Sequence, residues 1–277
     1  MMLVTGATGN IGRALVEELH ALGAGPLRGL TRDTVKAVFP EGVEAVEGDL
    51  ARAASLKSAL EGVRSLFLVS RVGADADILD AAGRAGVDHV VLVSSITVQT
   101  HPHLGPAGEN VAVERLLKDS GMAWTILRPT QFASNVMWWA DAIRGHETVR
   151  VPYADVGLPT IHPADIASVA RVALTEPGHR ERTYALTGPE RITPRQQVEA
   201  IARVLGRDVP FAEISREEAH REMATFLGDE AADAVLDLTG GDLNDELLTV
   251  RDTVSRITGS PAKSFPQWVS ENAAAFA

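Results

Sequence analysis

The chain contains no cysteine, and this absence excludes several kinds of chemistry. Disulfide bonds, thiolate nucleophiles and cysteine-ligated zinc all require the residue. Tyrosine and lysine are scarce as well. The tyrosines are Tyr153 and Tyr184, and the lysines are Lys36, Lys57, Lys118 and Lys263. Few tyrosine–lysine pairs are therefore available for acid–base catalysis.

Long apolar runs and basic charge are also missing. No stretch approaches the roughly 20 apolar residues of a membrane-spanning helix, and no charged-then-apolar leader precedes the first apolar run. The net charge is −11, and acidic residues crowd between Asp229 and Glu246. Nucleic-acid binding needs a basic surface instead. We therefore predict a cytoplasmic protein with no membrane or nucleic-acid partner and with the composition of an ordinary globular protein.

Three glycines near the start of the chain are its most informative residues. Met1 to Thr5 is a short apolar run that predicts a buried strand, and Gly6, Gly9 and Gly12 follow it. Helical spacing is then seen at Ile11, Leu15, Leu19 and Leu22. A dinucleotide pyrophosphate needs this layout, because backbone must approach the phosphates without a Cβ and the helix N-terminus supplies free N–H groups. The alternative is an ordinary glycine turn between a strand and a helix.

The second predicted strand, Pro26 to Leu30, indicates which dinucleotide is preferred. NAD-binding proteins usually carry Asp or Glu near its end to hold the ribose 2′-hydroxyl. Here Thr31-Arg32 occupies that place and Lys36 follows. A guanidinium binds a 2′-phosphate bidentately, so we predict NADP(H) with Arg32 as the main anchor. The alternatives are NAD(H) as cofactor and an Arg32 that is only an exposed loop residue.

Short apolar runs alternate with helical patterns through the first half of the chain. Further strands are predicted at 43–46, 65–69, 90–94, 124–127 and 184–187. This alternation predicts a parallel sheet covered on both faces, with ligands beyond the carboxyl ends of the strands. The segments there are Asp49-Leu50, Ser70-Arg71, Ser94-Ser95 and Arg128 to Phe132.

We predict an α/β protein of two domains. Residues 1–130, with return segments near 160–187, are predicted to form a Rossmann-type doubly wound parallel sheet that binds NAD(P). Residues 131–277 are predicted to form a smaller, mainly helical C-terminal substrate domain.

Several stretches match one family. They are Thr5 to Gly12, Thr31-Arg32, Gly48-Asp49-Leu50, Val93-Ser94-Ser95, Ser120 to Pro129 with Phe132 and Asn135, and Phe265 to Val269. On these residues, which span nearly the whole chain, it resembles the NmrA-like atypical short-chain dehydrogenases/reductases. That group includes NAD(P)H quinone oxidoreductases and redox-sensing regulators.

The resemblance implies a row of cofactor contacts. Asp49 and Leu50 would contact the adenine, Val69 and Ser70 would line the cleft, and residues 129–132 would approach the nicotinamide. The predicted cofactor-binding residues are Gly6, Thr8, Gly9, Asn10, Ile11, Gly12, Arg32, Lys36, Asp49, Leu50, Val69, Ser70, Ser94, Pro129, Thr130 and Phe132. Strand-end turns and core packing are the alternative roles for these positions.

One departure from the wider superfamily bears on mechanism. Typical reductases use a Tyr-x-x-x-Lys pair, in which the lysine lowers the pKa of the tyrosine. Here the residues four after the two tyrosines are Gly157 and Gly188, so the pair is absent. NmrA-like relatives often carry a lysine or histidine four residues before the glutamate that Glu114 matches, and that place is Asn110. The usual mechanism of carbonyl reduction is therefore in doubt.

Other polar side chains could stabilise a developing oxyanion. We predict Ser95, Asn110 and His162 as hydrogen-bond donors, with Thr97 and Gln99 as further candidates. Ser95 closing a turn and His162 capping a helix are the alternatives. The predicted substrate pocket consists of Gln131, Phe132, Trp138 and Tyr153, with core packing as the default for these aromatic side chains. No metal site is predicted, because His101 and His103 have no partner at suitable spacing and fit a polar loop.

The preferred hypothesis is an NADPH-dependent oxidoreductase that transfers hydride to a small conjugated, quinone-like acceptor. Such an acceptor delocalises the incoming charge, so positioning supplies much of the rate. The alternatives are a non-catalytic NADP-binding redox sensor and a redox-neutral isomerase or lyase on the same fold. A planar small-molecule substrate is expected, and a homodimer is a further expectation.

Overall fold

A seven-stranded parallel sheet organises the chain in the computed structural model, which describes residues 1–70 and 74–277. Its strands are β1 (Met2–Val4), β2 (Leu27–Thr31), β3 (Glu44–Glu47), β4 (Ser65–Val69), β5 (His89–Val93), β6 (Ala123–Pro129) and β9 (Arg182–Leu186). Their order is β3-β2-β1-β4-β5-β6-β9, and every neighbouring pair is parallel. The direction of strand order reverses between β1 and β4, which is where doubly wound sheets bind ligands. The predicted fold class is confirmed.

Helices cover both faces of this sheet. They are α1 (Asn10–Ala21), α2 (Lys57–Leu60), α3 (Asp75–Arg84), α5 (Gly105–Asp119) and α7 (Pro163–Thr175), while the short α4 (Thr97–Thr100) packs beside α5. On β1, Leu3 packs in one core, while its neighbours Met2 and Val4 pack in the other, because side chains alternate across a strand. The first core holds α3 and α5 against the sheet, and the second holds α1 and α7.

The chain leaves the sheet after β6 and returns to it with α7 and β9. The intervening segment forms a seven-residue 3₁₀ helix (Ala133–Trp139), α6 (Ala140–Arg144), β7 (Val149–Val151) and β8 (Leu158–Pro159). After β9 come β10 (Arg191–Ile192), α8 (Pro194–Leu205), β11 (Phe211–Glu213), α9 (Arg216–Leu227), α10 (Asp229–Leu236), α11 (Asp245–Leu248), α12 (Thr253–Thr258) and α13 (Phe265–Glu271).

The C-terminal region has its own core. β7 pairs with β11 and β8 pairs with β10, so the segments before and after β9 interlock. Ile143, Ile201, Trp268 and Phe276 are buried together there. Among the residues that the structure describes, no helix is long and apolar enough to cross a membrane.

Candidate cofactor and active site

The turn between β1 and α1 is closed by backbone contacts that only glycine permits. Gly6 has a φ of +58°, in the left-handed region, and its carbonyl accepts a 2.9 Å hydrogen bond from the Gly9 N–H. A Cβ at Gly12 would lie 2.2 Å from the Gly6 oxygen and 2.9 Å from the Ala7 Cα. The backbone of Gly6 and Ala7 therefore lies so close to the first turn of α1 that position 12 has no room for a side chain.

The outer surface of this turn is open. Gly6, Thr8, Gly9 and Asn10 are exposed, whereas Ile11 is buried beneath them. Helix α1 starts at Asn10, and no side chain caps its N-terminus, so its first N–H groups are available for an anion. The turn can therefore hold a pyrophosphate.

The strand ends next to this turn form a continuous row. The Thr5 hydroxyl accepts a hydrogen bond from the Val69 N–H, which joins the ends of β1 and β4. The N–H of Ser70 donates to Val93, that of Ser94 to Leu127, and that of Thr130 to Leu186. Parallel strands lie about 4.8 Å apart, so three intervals give roughly 14 Å of edge between β1 and β6. This edge runs from the glycine turn to Pro129 and Thr130.

The adenosine side of the predicted site contains an unpaired cation. Arg32 is exposed and makes no hydrogen bond or ion pair with any residue that the structure describes. Lys36 instead pairs with Asp33 at 3.2 Å. The Asp33 carboxylate also accepts hydrogen bonds from the backbone N–H groups of Lys36 and Val35, and its pKa is lowered chiefly by the backbone and side chain of Lys36 and then by Val35. Of the two predicted cations, Arg32 is the one free to bind an anion.

Asp49 and Leu50 follow β3 at the same edge. The Asp49 carboxylate accepts from the Ala51 N–H at 3.0 Å and from Arg52 Nε at 3.3 Å, so it shapes its own turn. Leu50 is buried, and its carbonyl accepts from the Ala74 N–H. Their contact with an adenine stays a prediction. Arg71, which was also expected at this edge, lies outside the described residues.

A buried polar cluster lies directly behind the row. The Ser70 hydroxyl is 2.7 Å from the Val93 carbonyl and 3.0 Å from Oδ1 of Asn110, which is itself buried. The Ser94 hydroxyl donates to Glu114 at 2.7 Å. Asn110 and Glu114 lie one turn apart on α5, so one helix supplies both partners. The predicted donor Asn110 is therefore brought together with Ser70.

Glu114 also binds Arg128, and sequence reasoning missed this ion pair. The Arg128 guanidinium donates to both Glu114 oxygens, at 2.9 and 2.6 Å, and to Gln99 at 3.1 Å. Burying two charges is costly unless they pair and are hydrogen-bonded, as they are here. A signal was available, because Glu114 occupies the apolar face of α5 and Arg128 ends an apolar strand. The pair anchors Ser94, and hence the end of β5.

Ser95 and His162 are bonded within the protein. The Ser95 hydroxyl accepts from the Thr97 N–H at 3.2 Å and lies 2.9 Å from the Thr97 hydroxyl. His162 caps α7, where its Nδ1 accepts from the Ala164 N–H at 3.0 Å, and its Nε2 lies 3.0 Å from Glu271. Burial lowers the pKa of this imidazole, although Glu271 acts in the opposite direction. Both ring nitrogens are engaged, so a donor role toward substrate stays a prediction.

The predicted pocket residues lie on separate segments. Gln131 and Phe132 extend from β6, where the Ile161 N–H donates to the Gln131 carbonyl. Trp138 is 60% exposed. Tyr153 has a φ of +56° and packs with Ile214 and Leu236 against Gly240, where a Cβ would lie 2.2 Å from its ring. Thus Gln131 and Phe132 adjoin the row, whereas Tyr153 packs against α10.

His101 and His103 contact the C-terminal region. Buried His101 places Nε2 2.8 Å from the Asp242 carbonyl oxygen, and Asn244 donates to the Thr100 carbonyl at 3.1 Å. Nε2 of His103 lies 3.9 Å from the Asp242 carboxylate. This segment therefore joins α4 to the residues before α11.

The parallel strand order and the glycine turn with its uncapped helix N-terminus together define a dinucleotide-binding α/β protein. A sequence profile described as NAD(P)H-binding matches residues 6–177, so the chain belongs to that family. Within it, the chain is an NmrA-like atypical short-chain dehydrogenase/reductase and an NAD(P)H-dependent oxidoreductase. The family resemblance seen in the sequence is thereby confirmed.

Full-length relatives include two named reductases. The chain is 38% identical to a (4-alkanoyl-5-oxo-2,5-dihydrofuran-3-yl)methyl phosphate reductase of Streptomyces griseus, over 100% of this chain and 99% of the relative. It is 34% identical to an NAD(P)H azoreductase of Xenophilus azovorans, with the same coverage of both chains. The structure of the NADPH-dependent quinone oxidoreductase of Escherichia coli in complex with NADPH matches with a TM-score of 0.81. That match has 28% identity and covers 98% of this chain and 99% of that one.

Proposed function

We propose that the protein reduces a small, planar, conjugated acceptor with NADPH. The reduced nicotinamide would supply a hydride when it is bound. Gly6, Gly9 and Gly12 would hold the pyrophosphate on the open turn, and Arg32 would hold the 2′-phosphate. The preference for NADP(H) is supported by the free guanidinium of Arg32 and by an Asp33 whose carboxylate is engaged in its own turn.

The polar groups near the strand-end row indicate which kind of acceptor the site can reduce. Ser70, Ser94 and Asn110, in the polar cluster behind the row, are hydroxyl and amide groups that are hydrogen-bonded within the protein and do not release a proton near neutral pH. The sequence contains no Tyr-x-x-x-Lys pair. Tyr184 lies 2.8 Å from His179, and Tyr153 packs on Gly240. An acceptor that delocalises the incoming charge needs no strong acid in the transition state.

The named relatives support the same chemistry. Quinones, azo groups and acyl-substituted dihydrofuranones each have an electron-poor multiple bond conjugated with a further unsaturated group. Hydride addition to such a bond places the negative charge on a delocalised oxygen or nitrogen. Water can then deliver the proton, so the protein contributes to the rate mainly by holding the acceptor against the nicotinamide in a reactive orientation.

The test is a steady-state assay of NADPH oxidation at 340 nm with matched acceptors. We expect turnover with 1,4-naphthoquinone and with an uncharged azo dye, and at least 100-fold lower kcat/KM with cyclohexanone, which lacks conjugation. In this assay Arg32→Ala should raise KM for NADPH, whereas Arg203→Ala, which removes an exposed arginine from α8, is the control for nonspecific charge effects and should leave it unchanged. Turnover of cyclohexanone equal to that of the quinone would refute the proposal. Tight NADPH binding without turnover of any acceptor would favour the redox-sensor alternative.

A further inference from the structure

The helical hairpin of α9 and α10 contacts two segments of the chain, the 3₁₀ helix that follows β6 and the start of α5. The two helices are joined at Gly228, whose φ is +81°, and they pack along each other. The residues on either side of this turn, Phe226 and Glu230, are four apart in sequence. Four residues of chain span at most about 14 Å, so the two contacts of the tip are made from points no farther apart than this.

On one side the tip contacts the segment that follows β6. The ring of Phe226 lies 6.5 Å from the ring of Trp138, and the two planes cross at 83°. Trp138 belongs to the 3₁₀ helix that begins at Ala133, directly after Phe132. At about 2 Å per residue, it lies roughly 10 Å along this helix from the end of the row.

On the other side the tip contacts the start of α5. A Cβ on Gly105 would lie 2.4 Å from Oε1 of Glu230, so the carboxylate sits against the first turn of the helix. The helix dipole stabilises negative charge at that place. Because α5 also carries Asn110 and Glu114, the tip extends from the helix behind Ser70 and Ser94 to the segment beyond Phe132.

Two features show what the tip could contact. Phe226 and Trp138 are 66% and 60% exposed, and an edge-to-face pair leaves ring faces free for a further flat group. The carboxylates of the hairpin and of α11 are partly neutralised, because Arg216 pairs with Asp233 and Asp237, and Arg251 pairs with Glu246. The free ring faces therefore identify the fitting occupant, which is a flat ring system.

We propose that the hairpin tip forms the outer wall of the acceptor site, and that Phe226 and Trp138 select acceptors of several fused rings over single-ring acceptors. A larger ring system reaches the aromatic pair while its reacting end lies at the strand-end row. A single ring at the row is too short to contact the pair. This inference rests on the proposed function, because it specifies the acceptor for the same site.

The experiment compares kcat/KM for 1,4-anthraquinone, whose quinone is the end ring of three, and 1,4-benzoquinone, with one ring, under saturating NADPH. In the Phe226→Ala variant, the three-ring to one-ring ratio should fall about three- to tenfold, the size of one aromatic contact. The loss should be carried mainly by KM for the three-ring acceptor. Phe226→Tyr should restore the ratio, because it restores the ring. Leu22→Ala, which truncates an exposed apolar side chain at the end of α1, is the matched control.

The outcomes separate this inference from the proposed function. If the wild-type protein reduces neither quinone, the proposed function is wrong and this inference falls with it. If the wild type is active but Phe226→Ala lowers kcat/KM equally for both quinones, only the present inference is overturned. If Phe226→Ala changes the sedimentation coefficient but leaves the three-ring to one-ring ratio of kcat/KM unchanged, this inference is also overturned. The aromatic pair would then contact a second copy of the chain instead of the acceptor.

Discussion

The backbone at the first turn leaves no room for a side chain at Gly12, and Gly12→Ala is the perturbation that this structure makes most predictable. The added Cβ would lie 2.2 Å from the Gly6 oxygen and 2.6 Å from its carbonyl carbon. Both neighbours are backbone atoms, so a rotamer change cannot relieve the clash. Ordinary contact needs about 3.5 Å, and the turn must therefore open by roughly 1 Å.

The size of the effect follows from what that movement disrupts. The Gly6 oxygen accepts the 2.9 Å hydrogen bond from the Gly9 N–H, and a displacement of about 1 Å breaks a bond of this kind. The exposed N–H groups of the turn would move with it. A hydrogen bond to a charged phosphate contributes about 1.5–3 kcal/mol, so losing one or two should raise the Kd for NADPH about 100-fold.

The assay is NADPH titration by calorimetry, together with thermal unfolding. The matched control is Gly83→Ala, since Gly83 is also a helical glycine but a Cβ there has nothing within 4 Å. The control should bind NADPH as the wild type does, with Tm equal or a few degrees higher, because alanine favours helix by about 1 kcal/mol. Wild-type NADPH affinity in Gly12→Ala would refute the reasoning about the turn.

Three other predictions follow from particular contacts. Arg32→Ala should raise the Kd for NADPH at least tenfold and that for NADH less than threefold, as measured by fluorescence titration. Equal losses would remove Arg32 from the 2′-phosphate role. Glu114→Ala leaves the Arg128 guanidinium, whose side chain is only 16% exposed, without its carboxylate and should lower the free energy of unfolding by about 3 kcal/mol, as measured in urea. A loss under 1 kcal/mol would contradict the energetic account of this pair. Burial lowers the pKa of His89 to about 4, so the unfolded chain binds the extra proton and His89 makes stability rise with pH between about 4 and 6.5. Burial raises the pKa of Asp165 to about 6, so the folded chain binds the extra proton and Asp165 makes stability fall with pH between about 4 and 6. Each shift changes the free energy of unfolding by about 3 kcal/mol across its range. In urea unfolding, Asp165→Asn keeps only the His89 effect, so its stability should rise with pH, whereas His89→Gln keeps only the Asp165 effect, so its stability should fall. The same slope in both variants would exclude the assigned shifts.

The fold and the first half of the cofactor site were readable from the sequence because they depend on local patterns. Strand, turn and helix follow one another within the first 21 residues, and the geometry that requires Gly12 is contained in that segment. The parallel sheet was predictable for a similar reason, since alternating apolar runs and helices leave few other arrangements. Arg32 was located by counting from the glycines to the end of β2.

The catalytic side was less predictable because its contacts join distant parts of the chain. Asn110 was chosen by its place beside Glu114, but its contact with Ser70 spans 40 residues. His162 was chosen for its chemistry, yet its partner Glu271 lies 109 residues away and occupies its Nε2. No local pattern in the sequence reveals which polar groups are already engaged in this way.

Residue type and short spacing were enough to establish the strand–turn–helix unit, the order of strands and helices, and the lack of a tyrosine–lysine pair. The packing of separate elements established three further facts: Glu114 and Arg128 pair behind Ser94, Lys36 is paired while Arg32 is free, and Phe226 meets Trp138 beyond the end of β6. These depend on where separate elements pack, and packing is set by the burial of apolar faces over the whole chain rather than by any one segment.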